Sequence, residues 1–104
     1  MKNKKFFKSY YLIKGNYCNN ERMFLSLENE KDYFGDITIN IPNVELQENE
    51  IILSNDLDFF RSKIEKTGLY EIIRKINYNF GVYYIAKLNN DIIGKYALNI
   101  KEAM

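Results

Sequence analysis

Between Asp36 and Pro42 the chain alternates with a period of two, Ile37, Ile39 and Ile41 being interleaved with Asp36, Thr38 and Asn40. That period places the three isoleucines on one face of an extended strand and Thr38 with Asn40 on the other, a pattern no helix satisfies. Pro42 ends the run, since it has no N–H to give to a central ladder. The alternation predicts a strand over residues 33–41, with Asn40 within reach of the backbone of the turn that follows Pro42.

The rest of the chain reads around this strand. Residues 6–14 are aromatic and β-branched and stop at the turn signal Gly15-Asn16. Met23, Leu25 and Leu27 alternate with Phe24, Ser26 and Glu28, predicting a half-buried strand over 22–28, and Asn29-Glu30-Lys31-Asp32 reads as a turn. Leu57, Phe60 and Ile64 share one helical face, with Asn55 or Asp56 to cap the start and Gly68 where a left-handed residue closes a helix. The spacing predicts a helix over 57–66. Residues 69–77 fit helix or strand. Strands over 80–88 and 92–100 are expected to form a hairpin about Asn89-Asn90-Asp91. The expected fold is α+β, a single domain over residues 1–104. It would have an antiparallel sheet of five or six strands with one or two helices packed on one face. Ile37, Ile39, Ile41, Phe60 and Ile64 are expected in one core.

At 104 residues, 46% hydrophobic and 15% aromatic, the chain can build such a core without staples. Cys18 is the only cysteine, which excludes an internal disulfide and suits a reducing compartment. The basic start, Met1-Lys2-Asn3-Lys4-Lys5, lacks the apolar stretch of a signal peptide, and no run approaches the ~20 apolar residues that span a bilayer. A cytoplasmic protein without a membrane partner is expected.

Catalytic chemistry finds little support. There is no histidine, which removes the commonest general base and every Ser-His or Cys-His mechanism. Cys18 has no cation beside it in sequence to activate a thiolate. The loop at residues 29–32 lacks the alternating ligands of a calcium loop, and the five glycines form no phosphate-binding motif. No catalytic residue, metal site or cofactor is assigned, and the chain is read as not an enzyme.

A net charge of +1 conceals a segregation. Residues 1–27 carry a net +5, residues 28–60 a net −8 and residues 61–104 a net +4. The acidic middle is the more unusual feature, because lysines outnumber arginines as part of a general bias to residues with AT-rich codons. Its loop carboxylates, Glu28, Glu30 and Asp32 before the strand at 33–41 and Glu45, Glu48 and Glu50 after it, are the candidate partner-binding residues. They would face a basic surface by electrostatic complementarity. In the alternative, Lys4, Lys5 and Lys8 track phosphates while Phe7 and Tyr10 stack on bases, as in a small module for single-stranded nucleic acid.

Asn20 and Arg22, Tyr33, the run Thr38-Ile39-Asn40-Ile41-Pro42, then Leu46, Asn49-Glu50, Ile52, Asn55 and Gly68 carry a resemblance over residues 17–68. The chain resembles a family of small proteins of unknown function encoded on conjugative elements and plasmids of Gram-positive bacteria. That family usually reads Thr-Val-Asn-Leu-Pro at the central motif. The resemblance implies a setting in which small anti-defence proteins are common, anti-CRISPR proteins and restriction inhibitors among them. The expected function is a non-enzymatic, protein-binding inhibitor of a host defence nuclease or its nucleoprotein complex.

Overall fold

The computed structural model describes residues 4–100, and Met1, Lys2 and Asn3 of the basic N-terminal segment lie outside the described residues. The strands are β1 (Tyr11–Asn16), β2 (Met23–Glu28), β3 (Tyr33–Asp36), β4 (Glu50–Ile52), β5 (Tyr70–Tyr78), β6 (Gly81–Leu88) and β7 (Leu98–Asn99). A 3-10 helix (Asn55–Phe60) runs into α1 (Arg61–Glu65), and α2 (Asn90–Tyr96) precedes β7. The fold is α+β, but it has two sheets where one was expected, in the orders β3-β2-β1-β7 and β4-β6-β5. All neighbours are antiparallel except β1 and β7.

The predicted strand at 33–41 is broken in two because the chain changes partner within it. Residues 33–36 pair with β2. The N–H groups of Ile37 and Thr38 still reach the Leu25 carbonyl, at 2.9 and 3.3 Å, but the Ile39 N–H donates to the Ile52 carbonyl at 3.0 Å. This crossover joins the two sheets and overturns the expected facing. Ile37 and Thr38 are both buried. Inside, the Thr38 hydroxyl accepts the Leu25 N–H at 3.1 Å and bonds the Tyr17 hydroxyl at 2.9 Å. The isoleucines also divide between cores. Ile37 joins Ile64 in the main cluster, against which Phe60 packs, whereas Ile41 lies in a second cluster with Ile52 and Ile85, flanked by half-buried Ile39.

Other expectations are corrected in the same way. Residues 92–100 do not form one strand: 92–96 lie in α2, and only Leu98 and Asn99 form a strand, β7. The Asn89 side chain accepts the Asp91 N–H at 3.0 Å and caps α2, so the Asn-Asn-Asp signal starts a helix instead of turning a hairpin. Residues 69–77 resolve as strand, all but Leu69 lying in β5, which pairs with β6 along its length with one shift between Ile72 and Arg74. At the N-terminal end the strand begins at Tyr11, and Phe7 and Tyr10 form a tight isolated bridge before it. The cap of the 3-10 helix is Ser54, whose hydroxyl accepts the Asp56 N–H at 3.1 Å, not Asn55 or Asp56. Gly68 does adopt a positive φ, +91°, after α1. Leu25, Ser26 and Leu27 are all buried, so β2 is a covered central strand and not the half-buried one expected. No helix among the described residues is long and apolar enough to cross a membrane.

Candidate protein-binding surface

The strand β3 and the 3-10 helix meet at Gly35. A Cβ on Gly35 would stand 2.6 Å from Leu57 Cδ2 and 3.7 Å from Asp56 Cβ. Only a glycine admits the helix that close. Leu57 enters the main core, and Phe60 follows it, its ring 5.1 Å from Phe34 and 6.0 Å from Phe7. With Phe60 turned inward, the preceding Phe59 is turned out and left 94% exposed. The helix therefore holds Asp56 against β3, close enough for its charge to act on Tyr33.

That hairpin carries the first group of expected carboxylates. The Asn29 side chain accepts the N–H groups of Lys31 and Asp32, at 2.9 and 2.8 Å, and its own N–H donates to the Asp32 carbonyl at 2.8 Å. This fixes the turn and leaves Glu30 and Asp32 exposed. Glu28 pairs with Tyr33 across the ladder. Tyr33 is 58% exposed and donates its hydroxyl to the Asp36 carboxylate. Its phenol is raised above the ordinary tyrosine range by desolvation, by that bond and by the charges of Asp36, Asp56 and Glu28. Glu28, Asp36 and Asp56 thus act on the exposed Tyr33 ring, next to a turn that exposes Glu30 and Asp32. Asp58, on the same 3-10 helix as exposed Phe59, is paired with Arg61 at 2.6 Å. Among the described residues no three acidic, cysteine or histidine side chains are grouped to hold a metal ion.

Glu45, Glu48 and Glu50 do not join this surface. They sit in the segment that leads into β4, and Glu48 and Glu50 share a cleft of about 380 Å³ with Asn16, Arg22 and Met23. Met23 and Glu28 are opposite ends of β2, so the two acidic groups lie roughly 17 Å apart along the strand. Glu50 is also committed internally. Its carboxylate accepts the Gln47 N–H at 2.9 Å and pairs with Arg74 at 3.3 Å, and the side chain is only 8% exposed. The Gln47 bond, with Arg74 behind it, holds this carboxyl below the usual glutamate range.

The aromatic half of the basic N-terminal segment is packed away. Phe7 is in the main core, and Tyr10 stacks on Phe34 at 4.5 Å. Lys8 lies over the Phe60 ring at 4.8 Å and Lys4 over Tyr96 at 6.0 Å, while Lys5 is exposed. Phe7 is buried, and one face of the half-buried Tyr10 ring is covered by Phe34.

The polar residues of the 17–44 region form a clasp. Asn40 does not bond the turn after Pro42. It accepts from the Asn20 amide at 3.0 Å and donates to Asn19 at 2.9 Å. The Arg22 guanidinium donates to the carbonyls of Ile41 and Val44, and its N–H donates to Asn20 at 3.1 Å. Asn20, Arg22 and Asn40 tie the β1–β2 connection to the segment after β3.

Asp36, Asp56, Asp58, Tyr33 and Phe59 were absent from the candidates read from sequence. All three aspartates were part of the acidic middle, but only loop carboxylates had been selected, and the contact that gathers them runs through Gly35. No protein-family model matches the chain, and neither a curated protein nor a solved structure matches it.

Proposed function

We propose that this protein is a non-enzymatic binding protein that docks its acidic face, studded with Tyr33 and Phe59, on a basic groove of a protein partner. The observation that carries this reading is the gathering of Glu28, Asp36 and Asp56 about the exposed Tyr33 ring, next to a turn that exposes Glu30 and Asp32, with Phe59 exposed on the adjoining helix. Carboxylates steer encounter with a positive groove. Exposed aromatic rings supply anchors of the kind that dominate interface energies. Basic grooves of this kind line nucleases and nucleoprotein complexes, where they hold phosphates. With the resemblance to proteins of mobile elements, the proposed role is stoichiometric inhibition of a host defence nuclease in the cytoplasm, in the manner of anti-CRISPR proteins.

The test is titration of the purified protein into cleavage reactions of a panel of CRISPR effector complexes and restriction endonucleases. Stoichiometric inhibition of at least one target is expected, and Phe59→Ala should weaken it without loss of folding. Undiminished cleavage across the panel would contradict the proposal.

A further inference from the structure

Asn79 and Phe80 form the two-residue turn between β5 and β6, closed by the pair Tyr78 and Gly81, and both have positive φ, +48° and +67°. Such a turn favours glycine at its second position. A bulky residue there is an outlier that carries backbone strain. The Phe80 ring is fully exposed, so no packing among the described residues offsets that strain, and Val82 two positions on is also exposed.

The same hairpin has an open edge, because β5 ends the order β4-β6-β5. Bonded and open pairs alternate from the closing pair. Ile76 with Tyr83 and Arg74 with Ile85 are therefore bonded, while Lys75 opposite Tyr84 and Asn77 opposite Val82 are open. The Leu53 N–H donates to the Tyr84 carbonyl at 2.8 Å, which places Tyr84's backbone toward β4, as this phase requires. Lys75 and Asn77 thus direct N–H and C=O outward. Nearer α1 the edge is closed, since the Ile72 N–H donates to the Glu65 carboxylate at 3.1 Å and the strand bulges between Ile72 and Arg74.

The charge of this edge selects its occupant. The β5–β6 hairpin contains Arg74, Lys75 and Lys87 against a single acidic residue, Glu71, which lies opposite Lys87 across the ladder. Arg74 is engaged by Glu50, leaving Lys75 without an ionic partner among the described residues. Pairing β5 antiparallel with a second copy of itself about Lys75 would set two lysines directly opposite each other. We propose that the β5–β6 hairpin is a second docking element. It takes an extended, acidic segment of a protein partner as an added strand along Lys75–Asn77, and Phe80 packs on an apolar side chain of that segment. Main-chain bonds to the edge provide affinity and Lys75 selects the acidic side chains. This element is separate from the acidic face and stands without it.

A phage-displayed library of random linear peptides, panned against the intact chain, tests this. The recovered peptides should alternate acidic and apolar residues and slow amide exchange at Lys75 and Asn77. Phe80→Gly should weaken them by roughly tenfold, yet raise thermal stability by relieving the turn. Lys75→Glu should remove the preference for acidic peptides. Recovery of no binder, peptides that protect the Tyr33 side of the molecule instead, or equal binding to all three proteins would overturn the proposal.

Discussion

Gly35 and Leu57 touch so closely that a single added methyl group on the glycine would collide with the leucine side chain at 2.6 Å. This contact sets the 3-10 helix against β3 and so assembles the proposed surface. Gly35→Ala is expected to cost about 1–3 kcal/mol, the usual penalty for overpacking. Urea unfolding would show it as a lower midpoint with an unchanged slope. The displaced helix should also carry Asp56 away from Tyr33, so partner binding should fall in the variant even where it remains folded.

The division of the isoleucines into two clusters predicts unequal costs of truncation. Ile64 is 1% exposed in the main core, and Ile64→Ala should destabilise by about 2–5 kcal/mol. Ile39 is half-buried at the margin of the second cluster. Ile39→Ala should therefore cost less than Ile64→Ala in the same denaturant series, although both lie at regular apolar positions in the sequence.

The titrating groups predict losses of stability at both ends of the pH range. The Glu50 carboxyl is held below its ordinary value by the Gln47 N–H and Arg74. The unfolded chain consequently takes up that proton first. The stabilisation is complete above the ordinary glutamate pKa of about 4.3 and is lost as pH falls through the folded value. Glu50→Gln should flatten the acid limb of a stability profile. At the alkaline end, burial raises the hydroxyls of Tyr70 and Tyr17. Stability is retained below the ordinary tyrosine pKa of about 10 and should decline as pH rises beyond it. Tyr70→Phe should reduce that decline.

How much of this was legible in the sequence depended on whether an element keeps one partner. β2 and β6 each keep the same neighbouring strands along their length, and both were readable to within a residue from period and turn signals. The stretch after Tyr33 was misread because its alternation is regular while its partner changes from Leu25 to Ile52. α2 was misread because Ile92 and Tyr96 satisfy a period of two and also a helical spacing, and the Asn89 cap decides between them. The β5–β6 turn lacked the expected glycine signal, having Asn79-Phe80 in left-handed conformations. For the site, the loop carboxylates Glu30 and Asp32 were readable as exposed charge. The contribution of Asp36, Asp56 and Phe59 was not, since it depends on one close approach between residues 22 positions apart.

The carboxylates on and beside the Tyr33 face are proposed to steer this protein onto a basic partner. Stopped-flow association with the inhibited nuclease, over a range of salt, tests it most directly. The charge reversals Glu30→Lys, Asp32→Lys and Asp56→Lys fall on exposed side chains and should leave thermal stability nearly unchanged. Combined, they should slow association by roughly tenfold or more at low salt and flatten its salt dependence, with a smaller effect on dissociation. An association rate and salt dependence equal to those of the parent would contradict the account.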